Sequence, residues 1–354
     1  MATNPLRKVP PGPGRKKKRD KSFEYNLWIG STACVVLVGC AIALFAPSAD
    51  LVEALVNDPS LVAHVNRNAQ GWKAAESPFF QDWSLGDVRR LSGVKVSNAG
   101  VLAECTLPDV TVPRSFDARE RWPHCFSGVY DMGNCSSSWA IAAVSSMTDR
   151  LCIAQNERLE LSVQQLLSCD QKFGKGCNGG ALDMVWNYMK EEGLVSSTCF
   201  PYKADALPCS FQCNEEPKRL SSACRLSTAE QIRREIFING PVVAPIVLWN
   251  DFLIYRSGIY QETRTATPLV ESEREQQLHA VKIIGWGVDS VKSFQKEYWI
   301  IENSFGKDWG ESGYAKIELN GKILLPELAF AGTPMNSKVA FFNTSETDGR
   351  NKQA

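Results

Sequence analysis

Hydrophobic and polar positions divide this chain into segments of different period. Residues 27–46, LWIGSTACVVLVGCAIALFA, hold no charge. At ~1.5 Å rise per residue a helix of that length covers ~30 Å, the thickness of a bilayer's hydrocarbon core. Residues 51–98 place apolar side chains at helical spacings in LVEALVNDPSLVAHVNRNAQGWKAA and SLGDVRRLSGV. A polar turn, DMGNCSSS, then runs into WAIAAVSSM, an apolar stretch compact enough for a buried helix, which puts Ser138 at a helix N-terminus. LELSVQQLLSCD reads as a short helix closing at a cysteine, and GGALDMVWNYMKEEG as another ending at Gly193. HAVKIIGWGV, KEYWIIENS and GYAKIEL are strand-like, rich in β-branched and aromatic residues. Helices early and strands late predict an α+β domain with two segregated halves.

Charge changes the picture at the N-terminus. The first 26 residues carry eight basic against two acidic residues, a net +6 hidden by the chain's overall neutrality, with four prolines interspersed. That tail is expected to stay unfolded. A basic run can bind nucleic acid or anionic lipid, but beside an apolar 20-mer it reads as orientation, with residues 1–26 cytosolic and everything after residue 46 across the membrane. Residues 27–46 therefore predict a signal anchor and a single-pass type II membrane protein. Ala46 and Ala49 leave a cleaved signal peptide and a secreted protein as the alternative. Twelve cysteines agree with an oxidising lumen or cell exterior. Nine fall between 125 and 224, an odd number that leaves one free or paired outside that span.

Candidate chemistry lies in three separated pieces: GNCSSSWA with Ser138, LHAVKIIGWG with His279, and IENSFGKDWGESGY with Asn303, the last two 141 and 165 residues downstream of Ser138. Singly each has a plain structural reading. A histidine before an apolar strand is commonly a core residue, and GCNGG (176–180) is a turn whose glycines permit positive φ. Together, in this order and spacing, they match a nucleophile, base and orienting-group arrangement.

On these motifs the sequence resembles papain-family peptidases of the cathepsin B branch, from about residue 51 to 334. LVAHVNRNAQGWKAA and VRRLSGV look like the propeptide, PRSFDARERWPHC like the start of the mature chain, NGPVVAPIVLWNDFLIYRSGIY like its central region and AGTP like its end. The resemblance implies a two-lobed papain-like fold, with a helical left lobe and a β-barrel-like right lobe. The implied segments are a cytosolic tail 1–26, an anchor 27–46, a propeptide 47–111, a peptidase domain 112–336 and a disordered tail 337–354.

Carried over residue by residue, the resemblance puts Ser138 on the catalytic cysteine, His279 on the histidine and Asn303 on the asparagine. It implies disulfides Cys135–Cys177, Cys125–Cys152, Cys169–Cys209 and Cys199–Cys213, and leaves Cys105 and Cys224 without an assigned partner. Gly179, Gly180, Trp139, Trp309 and Leu328 fall on substrate-binding positions. Leu328 falls near the acidic residue that lets cathepsin B accept arginine at its second subsite, and no histidine pair follows CFPYKADALPC where an occluding loop would carry one. Met132 stands where a glutamine amide helps bind the oxyanion, a loss of one donor that typically costs ~10²- to 10³-fold in rate. Ser136 replaces a glycine beside the substrate, Phe305 a tryptophan over the His–Asn pair, and Leu278 a glycine before the histidine.

A helix N-terminus and a histidine draw a thiol's pKa down by several units, whereas an alcohol stays protonated there. The expected protein is therefore a pseudopeptidase, endolysosomal or at the cell surface, whose groove holds a polypeptide, an inhibitor or its own propeptide. No cofactor, metal or nucleic-acid partner is implied. Two alternatives stay open: a weak peptidase using Ser138 and His279, and a surface interaction protein for which only the disulfide-held shell matters.

Overall fold

The computed structural model describes residues 53–97, 102–126, 128–269, 278–291 and 294–335. The basic tail, the proposed anchor 27–46 and the tail 337–354 lie outside them. Helices α1 to α7 span Pro59–Asn68, Leu85–Leu91, Ala118–Arg121, Ser138–Gln155, Val163–Cys169, Val185–Glu191 and Ala229–Asn239. Strands β1 to β11 span Trp72–Ala74, Val94–Lys95, Phe116–Asp117, Gly180–Ala181, Leu220–Leu226, Val242–Ile246, Tyr255–Tyr260, His279–Val291, Phe294–Glu302, Tyr314–Glu318 and Ala329–Pro334. Among the described residues no helix is long and apolar enough to cross a membrane.

α4 organises the core. Every residue from Ser138 to Cys152 is buried, the condition of a helix that has no solvent face. It stops at Asn156, which takes the left-handed conformation at φ 58° and returns its N–H to the Cys152 carbonyl. The strands gather mainly C-terminal to residue 220, in a nine-stranded sheet ordered β1-β7-β10-β9-β8-β6-β11-β5 with β3 also paired to β8. This is the segregated α+β arrangement that the sequence pattern predicts.

Buried charges join the halves. Arg150 of α4 donates to the Gly332 and Gly240 carbonyls at 2.6 and 3.0 Å and pairs with Glu235 of α7. Lys282 of β8 reaches Asp149 of α4 at 2.6 Å and Glu302 of β9 at 2.9 Å, with all three side chains under 7% exposed. A buried ion set of this kind fixes register more reliably than it adds net stability. Here it holds the helix that begins at Ser138 against the strands that carry His279 and lead to Asn303.

One expectation needs correction. Among the described residues from 54 to 75, the helical reading holds from Pro59 to Asn68. Gly71 turns to φ 94° and ends the pattern, and Trp72–Ala74 becomes β1, antiparallel to β7 with Trp72 buried against Tyr255 and Tyr260. An unpaired edge of the sheet offers these residues backbone partners that an isolated helical turn cannot, and tertiary context overrides the local pattern. α2 does form as read, opened by a capping box between Ser84 and Asp87.

Disulfides link Cys135–Cys177, Cys125–Cys152, Cys169–Cys209 and Cys199–Cys213, with Cα separations between 4.5 and 6.0 Å. A fifth joins Cys105 to Cys224, Cα atoms 4.9 Å apart. It accounts for the odd cysteine between 125 and 224, which pairs outside that span.

Candidate functional site

Ser138 is the first residue of α4, His279 the first of β8, and Asn303 follows β9 directly. β8 and β9 are antiparallel neighbours, so the residues on which they start and finish come to the same end of the sheet. His279 Nε2 and Asn303 Oδ1 lie 2.7 Å apart. Asn303 Oδ1 also accepts the Ser304 N–H at 2.8 Å, so it acts as an acceptor, which assigns the imidazole proton to Nε2 and leaves Nδ1 as a lone pair. The Phe305 ring covers the imidazole with centroids 4.8 Å apart.

The alcohol does not face that lone pair in a hydrogen bond. Ser138 Oγ accepts the Ala280 N–H at 3.2 Å, while His279 Nδ1 and Asn303 Nδ2 are buried without partners. Burial lowers the His279 pKa to about 4, against the opposing pull of the Asn303 bond. The imidazole is therefore neutral at physiological pH in this arrangement. Met132 is wholly buried, and its sulfur takes the Ser304 hydroxyl at 3.3 Å. It has no side-chain N–H to offer an oxyanion. Ser137 Oγ shares a 2.6 Å hydrogen bond with Tyr202 OH, which reaches the Met132 carbonyl at 3.2 Å.

The cleft beside this corner is filled by residues 91–97. β2 runs parallel to β4, Gly180 N–H donates to the Gly93 carbonyl at 3.2 Å, and Leu182 N–H to Lys95 at 2.8 Å. On the opposite wall Val94 and Leu278 exchange two backbone bonds, at 3.0 and 3.2 Å. Ser136 Oγ donates to the Leu91 carbonyl at 2.7 Å and accepts the Gly93 N–H at 2.9 Å. Ser97 N–H ends the run on the Asp183 carboxylate at 3.0 Å. Phe79 and Phe80 pack against this corner, with ring centroids 5.1 and 4.9 Å from Phe305. A cavity of about 380 Å³ remains beside the strand, with Lys95, Lys172 and Lys175 among its lining.

The candidate residues thus fall into separate groups. Ser138, His279, Asn303 and Met132 converge, and Gly179 and Gly180 form the wall that pairs with Gly93. Gly179 sits at φ 99°, where an added Cβ would lie 1.9 Å from the Gly93 carbonyl oxygen. Trp139 and Trp309 present no surface to a peptide here. Trp139 is fully buried beneath Gly180, whose Cβ would fall 2.5 Å from the indole, so it supports the wall from below. Trp309 is fully buried among Phe252, Tyr255 and Phe305, with its Nε1–H on the Leu253 carbonyl at 3.0 Å. Leu328 closes a turn before β11 and packs on the main core. Sequence reasoning flagged Ser136 as a departure but missed its double contact, and it missed Phe79 and Phe80. Adjacent aromatics in a polar stretch were the available signal for those two.

Comparison with known proteins decides the family. A model described as papain family cysteine protease matches residues 112–329. The chain belongs to the papain family. Among solved structures it is similar to proCathepsin B S9 from Trypanosoma congolense, with 30% identity and a TM-score of 0.71 over 79% of this chain and 99% of that one. Procathepsin L 3 of Tenebrio molitor, at 22% identity and TM-score 0.65, shares the fold. Sequence relatives include tubulointerstitial nephritis antigen of Bos taurus, 35% identical over 294 residues, and of Homo sapiens, 33% identical over 291. Each alignment covers 73% of this chain, which spans about 62% of the bovine and 61% of the human protein. This papain-family chain is cathepsin B-like, and its similarity to a procathepsin over 99% of that chain indicates a propeptide ahead of the family match.

Proposed function

We propose that this papain-family chain is a membrane-anchored pseudopeptidase that holds polypeptide in its cleft without hydrolysing it. The observation that carries the reading is the hydroxyl of Ser138, which stands at the nucleophile's position yet is bonded to the Ala280 N–H and not to His279. An alcohol needs its base engaged at hydrogen-bond distance before it can attack. Met132 withdraws a side-chain oxyanion donor at the same time, and asparagine stabilises an imidazolium less than a buried aspartate does. The Gly179–Gly180 wall, by contrast, pairs with an extended chain as a peptide-binding edge must. Incubating the full chain, before and after removal of the propeptide, with a broad peptide library tests the reading. No cleavage is expected, and robust hydrolysis abolished by Ser138→Ala overturns it.

One observation favours a second reading, a slow serine-type peptidase: the His279–Asn303 pair is intact at 2.7 Å. The same library distinguishes the two. The anchor rests on the 20 uncharged residues behind a +6 segment. N-terminal sequencing of membrane-extracted material should find residues 27–46 retained, and a soluble product beginning near residue 47 or 50 as the sole species removes the anchor.

A further inference from the structure

The propeptide is fastened to the domain in two ways that a releasable inhibitor does not need. The first is covalent. Cys105 lies before the first residue of the family match and Cys224 lies in β5, so the Cys105–Cys224 disulfide crosses the propeptide junction. Backbone bonds support it: Cys105 N–H donates to the Arg225 carbonyl and Arg225 N–H to the Ala103 carbonyl, both at 2.9 Å, adding residues 103–105 to the edge of the sheet. The second is Ser136. Its hydroxyl grips the propeptide strand on both sides of Ser92, at the Leu91 carbonyl and the Gly93 N–H, with the side chain buried. Between Cys105 and β3, residues 106–115 are irregular and largely exposed, the kind of stretch at which proteases cut.

We propose that residues 91–97 are a retained occupant of the cleft: scission of the junction between residues 106 and 115 leaves the propeptide covalently attached through Cys105–Cys224 and seated by Ser136. This deepens the pseudopeptidase reading by naming what fills its groove, and it fails separately from that reading. Cutting the peptide bond adds one water across it and leaves both sulfurs oxidised, so the cut chain remains one covalent unit. Other polypeptides reach the Gly179–Gly180 wall only where Val94 and Lys95 have left it.

The test places a sequence-specific protease site between Asp109 and Val110 of the full chain and cuts it. The cut wild-type chain is expected to run as one species on non-reducing denaturing gels and as two after reduction. A Cys105→Ser/Cys224→Ser variant separates the covalent hold from the Ser136 grip. In that background Ser136→Gly should speed dissociation of the cut propeptide about tenfold, the scale of two buried neutral hydrogen bonds. Should the cysteine variant not fold, amide exchange at Val94 and Leu278 in the uncut Ser136→Gly chain reads the same grip and should quicken by the same factor. Loss of the fragment from cut wild-type protein without reduction overturns the covalent claim, and an unchanged rate with Ser136→Gly overturns the seating claim. Peptide hydrolysis recorded on the same samples tests the pseudopeptidase reading independently.

Discussion

The two ends of the cleft differ in how their polar groups are satisfied. Along the recognition wall, Gly180, Leu278 and Ser136 each hydrogen-bond the propeptide strand, and the contacts fall between 2.7 and 3.2 Å. At the catalytic corner the imidazole Nδ1 and the Asn303 amide are buried with no partner, and the Ser138 hydroxyl turns to backbone. A buried unsatisfied polar atom costs ~1 to 3 kcal/mol; the corner carries two such atoms on the paired His279 and Asn303 side chains, whereas along the wall the main-chain groups are paired and the orphaned atoms are Ser92 Oγ and the Trp139 indole N–H. On the proposed reading, binding and chemistry separate in this chain. Main-chain pairing tolerates a substituted nucleophile because it does not depend on it, while proton transfer depends on one side chain facing another.

The strongest way to break the comparison is to rebuild the corner. In protein freed of its propeptide, Ser138→Cys should give a thiol that iodoacetamide alkylates readily, because the helix N-terminus and His279 act on whatever group stands at that position. Turnover of dipeptide-amide substrates should stay poor, since Met132 supplies no donor. Adding Met132→Gln should raise kcat/KM by ~10²- to 10³-fold over Ser138→Cys alone, equivalent to ~2.7 to 4 kcal/mol of transition-state stabilisation. The gain should exceed the sum of the two single changes, as it does for residues acting as one catalytic unit. Efficient turnover by Ser138→Cys alone means that Met132 is not the defect assigned to it.

A pH series sharpens the same contrast at slightly smaller scale. Burial holds the His279 pKa near 4 in the fold, against about 6.5 in an unfolded chain. The unfolded state thus binds the proton first, so stability is complete above pH 6.5 and is lost as pH falls toward 4, to a limit of about 3 kcal/mol. Asp149, whose carboxyl burial pushes upward, contributes with the opposite sign. Denaturation of wild type and His279→Gln side by side cancels that contribution. Wild type should lose about 3 kcal/mol relative to the variant between pH 6.5 and 4. A flat difference means that the imidazole is solvated and the corner is open.

Much of this was legible in the sequence, for reasons that differ residue by residue. α4 could be read because WAIAAVSSM is a compact, mostly apolar stretch, and β8 to β10 because β-branched and aromatic residues cluster between glycine breaks. The convergence of Ser138, His279 and Asn303 was legible through the resemblance to papain-family peptidases that their three motifs carry, and the structure places each at an end of an element. β1 was illegible because its reason is the vacant edge of β7, nearly 200 residues away. The Cys105–Cys224 link was equally hidden, because parity shows that a cysteine pairs outside a span but does not name its partner. The burial of Trp139 and Trp309 with residues 91–97 in the cleft is a property of packing, which the presence of an indole in a motif does not reveal.

The mildest test acts on the recognition wall and leaves the corner alone. Gly93 has Ser136 Oγ, the Gly179 Cα and the Asn178 carbonyl around it, and a Cβ built there would lie 2.5, 2.9 and 3.0 Å from them. Two of these neighbours are backbone and cannot step aside, so Gly93→Ala must push the propeptide strand off the wall or distort it. Overpacking of this kind costs ~1 to 3 kcal/mol. The loss should appear as faster amide exchange at Val94, Gly180 and Leu278, whose bonds cross the cleft, while exchange in α4 and β9 stays as it was. Melting of the whole chain should fall by no more than that overpacking cost, because Leu91 and Val94 stay anchored in the main core on either side of the substitution. If Gly93→Ala also frees the imidazole, read as an upward move of its titration from near 4, the two ends of the cleft are coupled and the separation drawn between them is too sharp. If the imidazole titration holds while cross-cleft exchange quickens, the wall is an independent binding edge, and what fills it can change without waking the chemistry.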